Sequence, residues 1–255
     1  MAALPVTRVT VRAPITSFRH PFFVVGSQPS FDIPPPSTVH GHCASALGRW
    51  PDPRTFFFGI HFTFRSKVRD REHQHITSAL GPKAKTFVAT PAGPLRATTE
   101  ITVQPVLREM LFDATMTLYL DPAVGEAFRA PVFPMALGRS QDLAEVVDVR
   151  PVSLERPARA RIEHTLLPRL VRPCVRFGAT VLLTRHVSEP PERRATFAQY
   201  IVLHEPVFFG GDPDGSRTFD RVEGIDIDDL WCDPTALDDE GFARGVWIHR
   251  LQDPS

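Results

Sequence analysis

Five consecutive residues, Thr16, Ser17, Phe18, Arg19 and His20, bring two hydroxyls, a cation and two rings into one short stretch. That mixture suits a bent single strand of nucleic acid, whose phosphates meet hydroxyls and guanidinium while its bases stack on rings. Downstream, Pro34-Pro35-Pro36-Ser37-Thr38 fixes the entry of the chain into a helix. A side-chain oxygen of Ser37 or Thr38 is placed to accept from an orphan amide of the first turn, and a helix N-terminus favours phosphate. His40, Gly41 and His42 follow in the same helix. His40 and His42 cannot both face a core at that spacing, so one of them is expected to meet ligand or solvent. A second clamp is expected at Arg139-Ser140-Gln141.

His73 and His75, in Arg69-Asp70-Arg71-Glu72-His73-Gln74-His75, are the most attractive acid–base candidates, because metal-free RNA cleavage needs a base for the 2′-hydroxyl and an acid for the leaving oxygen. Their spacing puts both on one face of a strand, and no Cys, Asp or Glu with metal-ligand spacing accompanies them. Phosphate-binding loops, dinucleotide fingerprints and nucleophile elbows are absent from the sequence. No residue is therefore assigned to catalysis, to a metal or to a cofactor. The three cysteines, Cys43, Cys174 and Cys232, lie far apart and read as small buried hydrophobes.

The elements that must position these residues follow from hydrophobic periodicity. Alternation predicts a first strand over 5–13, with an apolar face and a face carrying Arg8 and Arg12. A helix is expected over 37–47, with Val39, Cys43, Ala46 and Leu47 on one stripe and Gly48 as its stop. Strands are predicted over 56–64, 110–120 and 144–154, and a short helix starts at Asp121-Pro122 and runs to Arg129. The stretch 67–108 is rich in charge, Gly, Pro and Thr and reads as an extended hairpin or insertion. Strand, helix, strand, insertion, strand, helix, strand is the ferredoxin-like plan, shared with RNA-recognition modules. The fold class is therefore α+β, with a smaller β-rich portion after 155.

At 255 residues the chain is long enough for a substantial core, and 42% hydrophobic residues is ordinary for a globular protein. Without a long apolar run or a signal-peptide pattern, the cytoplasm is the expected location. The formal net charge of zero conceals an asymmetry. Between 148 and 177, seven arginines face three acidic residues, a local net of +4; between 212 and 240 the local net is −9. Either one pole grips a polyanion and the other docks a basic partner, or both runs are solvated surface. Lys67, Lys83 and Lys85 are the only lysines, so nearly all the cationic charge is Arg, which suits bidentate phosphate contacts.

Two of these stretches resemble the signatures of one family. The aromatic-rich loop and Pro34-Pro35-Pro36-Ser37-Thr38-Val39-His40-Gly41 are similar to the amino-terminal signature of Cas family five, the RAMP-superfamily subunit of type I CRISPR Cascade complexes. Leu137-Gly138-Arg139-Ser140-Gln141-Asp142 is similar to that family's L-G-R-S-x-D loop. The resemblance implies an RRM-like RAMP domain over 1–155, a thumb-like hairpin at about 67–108 and a β-rich region over 156–255. It implies a non-catalytic, type I-B-like subunit that binds and caps the 5′ handle of CRISPR RNA. Implied partners are a Cas family seven backbone subunit, a large subunit of the Cas family eight type, and target DNA near the protospacer-adjacent motif, with no membrane. RNA contacts are then expected among Thr16, Ser17, Phe18, Arg19, His20, Pro36, Ser37, Thr38, His40, Gly41, Arg139, Ser140 and Gln141. The alternative is a metal-independent CRISPR repeat endoribonuclease, because one branch of the family cuts the repeat with a Tyr, Lys and His set. Tyr119 and Tyr200 are the only tyrosines here, and neither lies near a Lys-His pair in sequence.

Overall fold

Alternating apolar residues build β1 (Ala3–Thr16), which runs past the predicted end at Ala13 and delivers Thr16 and Ser17 to the rim of the sheet. Helix α1 (Pro36–Leu47), β2 (Phe57–Thr63), β3 (Ser66–Ala79), β4 (Thr99–Leu120), α2 (Pro122–Glu126) and β5 (Glu145–Glu155) follow. The computed structural model describes residues 3–23, 26–80, 87–97, 99–189, 191–211 and 215–251. Lys83, Lys85, Asp212 and Asp214 lie outside the described residues. The strands lie in the order β5-β1-β4-β2, each antiparallel to its neighbour. The early part of β4 pairs instead with β3, from Ser66↔Phe112 to Ala79↔Thr99, so the charge-rich stretch is a long two-stranded hairpin.

Period-two alternation divides the side chains between two cores. Val9, Val11, Phe58, Ile60, Met116 and Leu118 pack with Val39, Cys43 and Ala46 of α1 and with Phe128 just after α2. On the opposite face, Val6, Tyr119, Val152 and Leu154 pack with Trp231, Val246 and Ile248. Helix α2 approaches β1 so closely that a Cβ on Gly125 would lie 2.4 Å from Cβ of Thr7.

The remaining chain forms β6 (Ala160–Ile162), β7 (Thr165–Pro168), β8 (Ala179–Val187), β9 (Ala195–Leu203), β10 (Val207–Phe209), β11 (Leu230–Leu237) and β12 (Ala243–Trp247). Strand β11 meets β5 at Glu155↔Cys232, and β12, β6 and β10 continue the main sheet outward. Strands β7, β9 and β8 make a separate sheet whose Leu166, Leu183, Tyr200 and Val202 share the core of α1. Helix α1 is therefore enclosed on more than one side. This corrects the expectation that His40 or His42 faces outward, since both are buried. His40 lies against Phe56 and His186, with Nε2 bonded to the Pro51 carbonyl at 2.9 Å. Burial pushes His42 down to about 4, despite its contact with the Ala136 carbonyl.

The fold brings part of the basic run onto the acidic one, while Asp220, Glu223, Asp226, Asp228, Asp239 and Glu240 stay exposed. Arg161 pairs with Asp238 at 3.5 Å, Arg156 lies 4.0 Å from the Trp231 ring centroid, and Arg159 lies 4.0 Å from that of Phe242. Arg8, on the face of β1 expected to be polar, is buried and pairs with Asp233 at 2.6 Å. Tyr119 Oη donates to the same Asp233 oxygen at 2.9 Å. Part of the local charge thus joins strands to strands. All three cysteines are buried free thiols, as expected, and burial pushes Cys232 up to about 11. Among the described residues, no helix is long and apolar enough to cross a membrane.

Candidate nucleic-acid interface

Three segments that are distant in sequence meet where β1 ends. Phe18–Arg19 forms a two-residue ladder with Ser30–Phe31, and the Ser30 hydroxyl accepts from the Phe18 amide at 2.9 Å. Ser17 Oγ donates to the Glu109 carbonyl at 2.8 Å, which ties the loop to the base of the hairpin. Thr16 Oγ1 donates to the Leu137 carbonyl at 2.5 Å, which ties it to the loop before β5. Gly138 makes that approach possible at φ 90°, since a Cβ there would sit 2.5 Å from Thr16 Oγ1 and 2.7 Å from the Ser17 carbonyl oxygen.

These segments enclose a cavity of about 320 Å³ with Arg19, Ser37, Thr38, Arg108 and Arg139 on its walls and Thr184 of β8 closing one side. Arg19 is exposed, and among the described residues no carboxylate pairs with it. Arg108 and Arg139 are preset by acids. Arg108 Nε donates to Glu72 Oε2 at 2.6 Å, Arg139 donates to the other Glu72 oxygen, and Arg139 also grips Asp142 at 2.7 and 2.9 Å. Glu72 thus stands between two guanidiniums as an internal anion. Behind it, Glu109 takes the Ser30 amide and Lys67; burial alone would raise its carboxyl, but those partners hold it below the ordinary range.

The helix start differs from its sequence reading. Pro35 is the N-cap and Pro36 the first helical residue, with no side-chain cap, so Ser37 and Thr38 lie inside the first turn. Pro36 has no N–H, and the Thr38 and Val39 amides both donate to the Pro35 carbonyl at 2.8 and 3.2 Å. Ser37 and Thr38 of this first turn line the cavity.

Ser17, Phe18, Arg19, Ser37, Thr38 and Arg139 are brought together as expected. Phe18 serves as a wall, buried edge-on against Phe62 at 5.4 Å between centroids. Thr16 is fully buried as a brace, and Pro36 is buried at the helix start. His20 turns to a neighbouring cavity with Phe31 and His204, its ring 4.5 Å from that of Phe31. His40 is committed to the core, Gly41 faces Trp50, and Ser140 and Gln141 are exposed on the turn beyond the cavity lining. His73 and His75 are exposed on β3. Arg108, Glu72 and Thr184 were not anticipated. Each stands in a stretch whose pattern signalled only hairpin or strand.

A sequence profile described as CRISPR-associated protein (Cas_Cas5) matches residues 7–196, which include every residue lining this cavity. The chain belongs to the Cas5 family. Solved structures similar to this Cas5 chain include one from a "CRISPR RNA-guided surveillance complex", at 20% identity and a TM-score of 0.48, covering 79% of this chain and 90% of that one. Another is the "Crystal structure of a CRISPR protein from Archaeoglobus fulgidus", at 13% identity and a TM-score of 0.41, covering 97% and 99%. A chain of a "Type III-B Cmr-beta bound to cognate target RNA and AMPPnP" is 12% identical, with a TM-score of 0.40 and coverage of 78% and 85%. These likenesses are too distant to carry residue correspondences. No curated protein sequence matches this Cas5 chain significantly.

The ion-pair geometry makes a prediction. Glu72→Gln removes the charge that competes with a phosphate for Arg108 and Arg139, so affinity for single-stranded RNA is expected to rise about fivefold at low salt, with the gain shrinking as salt is added. Fluorescence anisotropy at several salt concentrations reads it. Unchanged or weaker binding by a variant with the parent's unfolding midpoint would remove the two arginines from the interface.

Proposed function

We propose that this Cas5 chain is a non-catalytic subunit of a type I CRISPR surveillance complex, binding and capping the 5′ handle of CRISPR RNA. One observation carries the reading: in a family member, Arg19, Arg108 and Arg139 converge with the Ser37 and Thr38 hydroxyls on one cavity. Guanidiniums and hydroxyls are what backbone phosphates require. The lining holds no histidine among the described residues, which favours holding an anion over moving a proton.

The strand order β5-β1-β4-β2, with α1 and α2 in the connections, supports reading the amino-terminal part as a ferredoxin-like RAMP domain. The β3–β4 hairpin then serves as the thumb over the guide. Its exposed Ile101, Val103 and Leu107 suit contact with a Cas family seven backbone subunit, and the large subunit and target DNA near the protospacer-adjacent motif lie at the handle end.

The endoribonuclease alternative is tested by His73→Ala/His75→Ala. Both rings are exposed, so this variant is expected to fold normally and to leave processing of repeat RNA unchanged in a co-expressed array. Loss of the cleaved product would move this chain into the enzyme class. For binding itself, a repeat-derived 5′ RNA is expected to bind the full chain more tightly than the same nucleotides scrambled; equal affinity would contradict handle recognition.

A further inference from the structure

A second cavity, distinct from the one beside His20 and of about 450 Å³, opens between β8, β9 and the segment around Trp247 and Arg250, with Arg169, Leu182 and Phe197 also on its walls and Arg185 beside them. Its volume falls within the roughly 300–1,000 Å³ of small-ligand sites. Cations outnumber acids in its wall. Among the described residues Asp229 is the one acidic lining residue, and it is bonded to Arg250 at 2.8 Å. Arg185 Nη2 donates to the Arg250 carbonyl at 3.3 Å, which fixes its guanidinium against the rim. Arg169 is exposed, with no carboxylate partner among the described residues.

Beside these cations stands uncovered apolar surface. Phe197 is 40% exposed and Leu182 39% exposed, and the Phe22 ring lies 6.0 Å from that of Phe197. His249 is turned inward, its Nε2 bonded to the Leu166 carbonyl at 3.0 Å. Exposed rings beside guanidiniums match a nucleobase and its phosphate.

The two cavities share a wall. Thr184 lines the first and Arg185, the next residue of β8, lines the second. The loop that carries Arg19 to the first carries Phe22 to the mouth of the second. We propose that the second cavity is a nucleotide-binding site for the same single strand held by the first, with an unpaired base on Phe197 and Leu182 and its phosphate on Arg169 and Arg185. This rests on reading the first cavity as a single-strand interface.

The test uses the full chain, an unstructured oligouridylate and the matching oligodeoxythymidylate, read by fluorescence anisotropy. Phe197→Ala with Arg169→Ala, both at exposed positions, is expected to weaken binding about tenfold with an unchanged unfolding midpoint. Loss with the RNA probe supports the proposal, and loss with the DNA probe alone would overturn it, because the strand held by the first cavity is RNA. Wild-type affinity in this double variant, alongside weakened binding by Arg19→Ala, would overturn the second site and leave the first standing. Unchanged binding in both variants, or no binding by the parent chain, would overturn both.

Discussion

Arg19→Ala combined with Arg139→Gln is expected to lower the affinity for repeat-derived RNA by about a hundredfold and to flatten its salt dependence. Each charged phosphate contact contributes roughly 1.5–3 kcal/mol, so two account for about two decades. Each phosphate neutralised on a single strand also contributes about 0.7 to the slope of log affinity against log salt. The loss should therefore be accompanied by a slope shallower by more than one. The two positions are not equivalent. Arg19 is the exposed member of a two-residue ladder, whereas Arg139 also holds Asp142, so an unfolding curve must accompany the binding data. Lower affinity with the parent's salt slope and unfolding midpoint would mean that neither residue meets phosphate.

The second large effect concerns stability. Asp233→Ala leaves the Arg8 guanidinium and the Tyr119 hydroxyl in the interior without the carboxylate that both use. Breaking a buried pair from one side costs about 3–5 kcal/mol, which in a chain of this size corresponds to a fall in Tm on the order of 10 °C. Burial works to raise the Asp233 carboxyl, yet its bonds from Thr235, Arg8 and Tyr119 hold it below the ordinary value of 3.8. Its contribution is therefore complete above that value and is lost only as the pH falls through the depressed folded value. Thermal unfolding from neutral to acid pH should show the parent and variant curves converging at the acid end. A variant as stable as the parent at neutral pH would mean that the pair does not join β1 to β11.

The elements around the interface were legible because they depend on local pattern. Alternation at Phe58, Ile60 and Phe62 fixes which face of β2 packs on the core of α1, and Gly48 ends α1 in the left-handed conformation at φ 72°. The convergence of Arg19, Ser37, Thr38 and Arg139 was legible through motif resemblance, since no periodicity brings position 19 to position 139. The failures have a common cause in long-range packing. His40 and His42 were read on an isolated helix, yet β8 and the segment after α2 cover both sides of it. Asp233 and Asp238 were counted in the acidic run, but each meets an arginine far away in the chain. Glu72 was overshadowed by His73 and His75, although Glu72 is the residue that points to Arg108 and Arg139.

The central claim is that this chain holds the 5′ end of CRISPR RNA without making that end. Its most direct test is to co-express the complex with a repeat-spacer array, with and without this chain, and to sequence the 5′ ends of the RNA that is recovered. The account predicts a discrete repeat-derived 5′ end in both cases, protected when the chain is present and degraded when it is absent. An uncut repeat in the absence of the chain would contradict it and assign the cleavage to this protein.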